Sequence, residues 1–173
     1  MSNFVIDIIN IRFDFCDFVS ITLISLSNKV DNESSKVVGS YFHVINDIER
    51  IGDHAYNFFE TAKTLENDDL KFSDTAVKEL QAMFDLIMEM SDITVDIFEK
   101  GENEKLGTLH ELEEKSDVLA KELSTSHFKR MTSNECNGAL SDDYATLISE
   151  LERVADHLTN IGYSVVNPTG DEI

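Results

Sequence analysis

Proline is nearly missing from this chain: Pro168 is the only one among 173 residues. Nothing upstream of it breaks a helix by removing an N–H and crowding the preceding turn, so long helices are permitted. Basic residues are scarce as well, 14 Lys and Arg against 34 Asp and Glu, which leaves a formal charge of -20. A field of that sign repels phosphodiester backbones and anionic lipid headgroups. It argues against nucleic acid as a partner and leaves cations, basic protein surfaces or plain solubility as the uses of the acid. Cysteine is limited to Cys16 and Cys136, without CxxC spacing, so no disulfide framework is available and a reducing compartment is the default. Long apolar runs are missing too. The most apolar stretch, Phe4 to Leu26, is interrupted by Asp7, Arg12, Asp14 and Asp17, too much charge for a spanning helix, and it lacks the basic start of a signal peptide. The expectation is a soluble chain that buries one core in one domain.

What is present is helical periodicity. From Ser73 to about Lys100 the residues Val77, Leu80, Phe84, Ile87, Val95 and Phe98 recur at three and four spacing, with Ser91 in the same stripe. Ser73 with Asp74 suits the N-terminal cap and Gly101 the stop. A run from about Asn103 to Met131 places Leu109, Leu112, Ser116, Leu119 and Leu123 on one stripe. Another, from about Ser141 to Val166, does so with Tyr144, Leu147, Leu151, Val154, Leu158, Ile161 and Val165. Upstream, about Asn32 to Leu65 carries Tyr41, Val44, Ile48, Ile51, Ala55, Phe58 and Ala62 in the same way. Four amphipathic helices with short polar joints predict an all-α antiparallel bundle. Before them, Ile11, Phe13 and Phe15 alternate with Arg12, Asp14 and Cys16, which reads locally as strand, while Phe18 to Leu26 suits the end of a helix.

The chain also repeats itself. At an offset of 103 residues, Asp47-Ile-Glu-Arg-Ile-Gly-Asp-His-Ala-Tyr-Asn57 superposes on Glu150-Leu-Glu-Arg-Val-Ala-Asp-His-Leu-Thr-Asn160 without a gap. Glu, Arg, Asp, His and Asn are identical, and the apolar stripes from Tyr41 to Ala62 and from Tyr144 to Val165 superpose with them. In each word Glu, Asp and Asn stand at i, i+4 and i+8, so Glu49, Asp53 and Asn57 share a face, as do Glu152, Asp156 and Asn160, set opposite the apolar stripe. Carboxylates one turn apart repel by about 0.2–0.5 kcal/mol, and a hard cation reverses that sign. Glu113 and Asp117 in the middle run offer a third such pair, with Glu114 competing for the register. The alternative is a solvated acidic surface. His54 and His157 follow the Asp on the polar side and suit surface or capping roles; Arg50 and Arg153 suit pairing with Asp47 and Glu150. Gly52 and Ala155 are small enough for a neighbouring helix to come close.

The words "ERIGDHAYN" and "ERVADHLTN", with "ELEEKSDVLAKEL" at Glu111 to Leu123, resemble the PhoU family, and "VINDIERIGDH" at Val44 to His54 is most similar to its domains at the cytoplasmic end of sodium/phosphate cotransporters. The resemblance spans about Leu26 to Val166 and implies two three-helix repeats, the first truncated at its N-terminus. It divides the chain into a diverged segment over 1–25, a partial first repeat over 26–70, a complete second repeat over 71–166 and a tail over 167–173, together one compact domain. It implies metal sites of iron, zinc, manganese or magnesium type, with Glu49, Asp53, Glu113, Asp117, Glu152 and Asp156 as the motif acids. It further implies a regulatory role in phosphate uptake, in the cytoplasm at the inner face of the membrane, with a phosphate transporter or other membrane protein as partner. The first repeat departs from the pattern, because the counterparts of Glu113 and Asp117 are Asn10 and Asp14 and its opening helix would precede Met1. An apolar stripe left bare in this way predicts a homo-oligomer or a rearranged N-terminus.

Two rivals belong to other classes. A di-iron oxidase needs Glu-x-x-His pairs, and no His here has an acid three residues before it. His-Glu-x-x-His, G-x-S-x-G and a Walker loop are also missing, so the expectation is a non-enzyme. A metal-free helical module that docks on a membrane or signalling partner fits the residues as well.

Overall fold

The computed structural model describes residue 23 and residues 31–133 and 138–168. Four long helices follow one another: α1 (Asn32–Asn67), α2 (Asp74–Lys100), α3 (Leu106–Thr132) and α4 (Ser141–Val166), with single 3-10 turns at Asn103–Lys105 and Gly138–Leu140. No strand occurs among the described residues. The alternation at Ile11–Cys16, both cysteines, Asn10 and Asp14 lie outside them.

The helix ends are chemically specified. Asp31 caps α1 by accepting from the Ser34 N–H at 2.9 Å. The Ser73 hydroxyl accepts from the Ala76 N–H at 3.2 Å and starts α2. Gly101 ends it at φ 69°, a left-handed conformation that a Cβ would strain, and its N–H bonds to the Ile97 carbonyl at 3.1 Å. The chain then needs only five residues to turn back into α3, and Lys105 ties that corner to Asp96 at 2.6 Å.

α2, α3 and α4 wrap one core, built on Met83, Ile87, Met90 and Ile97 from α2, Leu109, Leu112 and Leu123 from α3, and Tyr144, Ile148, Leu151, Ala155 and Leu158 from α4. Fully burying side chains of this size contributes roughly 1.5–3 kcal/mol each. Gly162 faces a close crossing: a Cβ there would stand 2.6 Å from Leu109 Cδ2, so a larger residue would push the Leu109 side chain aside. α1 packs mainly along α4 and adds Val44, Ile51 and Phe58.

The stripes of α3 and α4 sit in the core as their spacing predicts, but those of α1 and α2 are corrected by the structure. In α2 the buried row is Ala76, Met83, Ile87, Met90, Thr94 and Ile97, while Val77, Phe84, Val95 and Phe98 are exposed. The helix is apolar over more than half its circumference, and periodicity alone does not say which edge of so wide a stripe the neighbours take. In α1, Tyr41, Ile48, Ala55 and Ala62 are likewise exposed.

Candidate functional site

Three carboxylates converge on one flank of the bundle. Glu113 and Asp117 stand one turn apart on α3 and Asp156 faces them from α4, each half-buried, with one ligand oxygen apiece lying within 4.8 Å of the others. Packing beneath them sets the approach. Leu112 and Ser116 of α3 and Ala155 of α4, the immediate neighbours of these acids in sequence, are buried, and the small Ser116 and Ala155 are fully so. The acids therefore sit at the rim of a close helix crossing rather than opposite the apolar stripe, which corrects the helical-wheel expectation for Asp156. Glu114 is well exposed, which settles the register in favour of Glu113.

The electrostatics of the cluster are those of an uncompensated site. Burial, then repulsion from Asp117, raises the Glu113 carboxyl above its ordinary range against an opposing pull from His110, with Asp156 adding a further upward push. Burial followed by Asp117 raises Asp156 as well. Glu152, one turn before Asp156 on α4, is raised by burial, then by Asp156 and Asp117, which places it in the same field. The cations nearby are peripheral: Lys121 lies 3.7 Å from Asp117 with most of its side chain in solvent, and His110 lies 3.5 Å from Glu113. An open groove of about 390 Å³ between α3 and α4, lined among others by Asp117, Lys121, Ser124, Ser149 and Glu152, gives solvent access from one side. The donor set is all oxygen, which suits magnesium, manganese or iron and suits zinc less, since zinc favours nitrogen and sulfur.

Glu49 and Asp53 do not join such a group. They are half-buried on α1, and among the described residues no set of three ligating side chains includes them.

The remainder of the repeated word does something the sequence did not suggest. His54 is buried and its Nδ1 lies 2.5 Å from Glu150 Oε2, while His157 Nδ1 lies 2.8 Å from Asp47 Oδ1. The two imidazoles stack at 5.5 Å between centroids with 24° between planes. Each word thus gives its histidine to the other word's first acid, as two equivalent helices crossing antiparallel must do. Surface or capping roles for His54 and His157 are therefore corrected, and so is the pairing of Asp47 and Glu150 with Arg50 and Arg153: the acids meet the histidines, and both arginines are exposed. Asn57 leaves its supposed row and donates to Glu150 at 3.1 Å.

A second polar group escaped the sequence altogether. Arg130 of α3 grips Glu79 of α2 through both guanidinium nitrogens at 2.7 and 2.6 Å, while Tyr144 of α4 donates to the same carboxylate at 2.6 Å and Ser126 at 3.0 Å. Ser126 and Arg130 stand one turn apart on α3, but Glu79 and Tyr144 come from two other helices, so no periodic signal brings the group together.

Residues 80–165, from α2 through α4, match the PhoU domain family, and Glu113, Asp117 and Asp156, with Glu152 beside them, fall inside that stretch. The chain is also similar to the phosphate-specific transport system accessory protein PhoU homolog 1 of Thermotoga maritima, at 26% identity over 121 residues. That match covers 70% of this chain and 51% of the relative, so the chain spans about half the length of the curated protein it matches. The described helices form an all-α, PhoU-like bundle, and none of them is long and apolar enough to cross a membrane.

Proposed function

We propose that this chain is a PhoU-like regulatory domain of phosphate transport whose acidic face takes a metal ion, and that it acts at the inner face of the membrane on a phosphate transporter, in the first instance a sodium-dependent one. The observation that carries the ion is the convergence of Glu113, Asp117 and Asp156 from two helices, with Glu152 in their field. Like charges held together by packing raise the energy of the empty bundle, and a hard cation removes that cost while linking α3 to α4. Magnesium, manganese and iron fit the oxygen donors best, with zinc behind them. Glu113, Asp117 and Asp156 would hold the ion and Glu152 would complete or exchange within its shell. Glu49 and Asp53 are the weaker pair, since they need acids from elsewhere. Support for the phosphate role comes from the family match over residues 80–165 and from the similarity to the phosphate-specific transport system accessory protein of Thermotoga maritima.

The reading is regulatory rather than catalytic, and the family match over residues 80–165 supports it. Metal analysis of protein purified without a chelating tag tests it, set against Glu152→Gln and Asp156→Asn. Stoichiometric metal in the parent that vanishes in both variants supports the site; a metal-free parent that is not stabilised by added manganese or magnesium removes it. A metal-free scaffold is the second reading, and the exposed apolar rows of α1 and α2 favour it.

A further inference from the structure

Thr159 of α4 is only 7% exposed, and its hydroxyl oxygen is buried with no hydrogen-bond partner among the described residues. The other buried serines and threonines behave differently. Ser40, Thr94 and Ser116 each donate to a carbonyl of their own helix at 2.9 Å. A helical threonine has two accessible χ1 rotamers, and one of them makes that bond. Thr159 does not make it, so its hydroxyl is left for some other partner. Keeping such a group buried and unpaired costs stability, and a bound water or ion is a common reason for it.

Its place in the fold is beside the acid cluster. Glu152, Asp156 and Thr159 stand at i, i+4 and i+7 and so share a row on α4. Contacts with α3 bracket that row. On one side Asp156 meets Glu113 and Asp117, and on the other the Tyr163 ring lies edge-on to His110 at 6.4 Å. Thr159 lies between these two levels of the antiparallel crossing. Helical side chains lean toward the N-terminus of their own helix, so Thr159 covers the turn that carries Asp156.

We propose that Thr159 is a positioning residue of the metal site, its hydroxyl holding a water bound to the ion that Glu113, Asp117 and Asp156 take. The inference rests on the metal reading given above. Three carboxylates with one oxygen each leave half of an octahedral shell to other oxygens, and magnesium or manganese fills such places with water. The bond directions agree, because a water whose lone pair is on an ion donates and a hydroxyl oxygen accepts. Each acid also keeps a second oxygen that can accept the threonine's own proton. The empty bundle therefore carries two related costs at this crossing, crowded acids and an idle hydroxyl, and one hydrated cation relieves both.

Manganese binding to the full chain, followed by electron paramagnetic resonance, tests this beside denaturant midpoints measured in chelator. The parent is expected to bind manganese and Asp156→Asn to lose it. Thr159→Val keeps the shape and removes only the hydroxyl. It should bind manganese at least about tenfold more weakly, as the loss of an outer-shell hydrogen bond does. In chelator it should be at least as stable as the parent, since no hydrogen bond is given up there. Thr159→Ser, which keeps the hydroxyl, should bind like the parent. A Thr159→Val protein that binds manganese as tightly as the parent overturns the inference and leaves the metal site standing. So does one that is less stable than the parent in chelator, because the hydroxyl would then have its partner within the protein. A Thr159→Ser protein as weak as Thr159→Val also overturns it. A parent that takes up no manganese removes the metal site and this inference together.

Discussion

α3 carries two polar regions built on opposite rules. Near its end, Arg130 meets Glu79 and Tyr144 in a clamp where every charge has a counter-charge or a donor; near its start, Glu113 and Asp117 meet Asp156 with only His110 and a largely solvated Lys121 at their edge. Burial pushes Glu79 up, yet the donors from Arg130, Tyr144 and Ser126 outweigh it and hold the carboxyl below its ordinary range. At the acid cluster burial and the neighbouring carboxylates push the same way and outweigh the opposing pulls of His110, Arg153, Lys121 and His157, so Glu113, Glu152 and Asp156 all rise. A clamp is what a helix joint looks like when it serves stability alone. A packed crossing that gathers acids with only peripheral cations beside them lowers stability, as a strained functional feature does.

The largest expected effect is at the clamp. Arg130→Ala leaves Glu79 largely buried without its counter-charge and also removes a guanidinium lying 5.7 Å over the Tyr144 ring. The variant should lose about 3 kcal/mol, read as a lower denaturant midpoint with unchanged slope. A loss below about 0.5 kcal/mol would mean that the clamp is a surface pair and the contrast with the cluster is false.

Next in size is the response of the cluster to an ion. At a free concentration of about one hundred times its dissociation constant, a cation that binds only the folded state adds about 2.7 kcal/mol. For a chain of this length that raises the melting temperature by roughly 5–10 °C. The shift should vanish in Asp156→Asn and persist in Arg130→Ala, which is destabilised but keeps its acids. A shift of equal size in both variants would place the ion elsewhere.

The sequence made the scaffold legible because its signals were local. Ser73 and Gly101 are visible as cap and stop, and the rows of α3 and α4 are narrow enough that spacing fixes the buried edge. The acid pairs were legible for the same reason, since i and i+4 is a property of one helix. What escaped was relational. Whether Phe84 or Met83 faces the core depends on where α3 and α4 stand, and the partner of His54 is set by a helix 96 residues away. The repeat could have carried that last inference: identical words on two crossing helices meet each other's equivalents, which is how His54 finds Glu150 and His157 finds Asp47.

The smallest effect separates the two regions by sign. A carboxyl held above its unfolded value binds its proton more tightly when folded, so its contribution is present at low pH and is lost as pH rises through the folded value; one held below behaves in reverse, contributing above the unfolded value and losing it as pH falls. Glu113, Glu152 and Asp156 belong to the first kind and Glu79 to the second. In ion-free protein at neutral pH, Asp156→Asn should therefore stabilise the fold, by about 0.5 kcal/mol if only helix-neighbour repulsion is relieved. The gain should fade toward pH 4 as the carboxylates take up protons in the parent. Arg130→Ala should show the opposite trend, its cost shrinking in acid because Glu79 without its guanidinium is left to burial and takes up a proton before the parent's does. Denaturant midpoints across that pH range, in chelator, distinguish the two slopes, and parallel slopes would show that the acid cluster is as well compensated as the clamp.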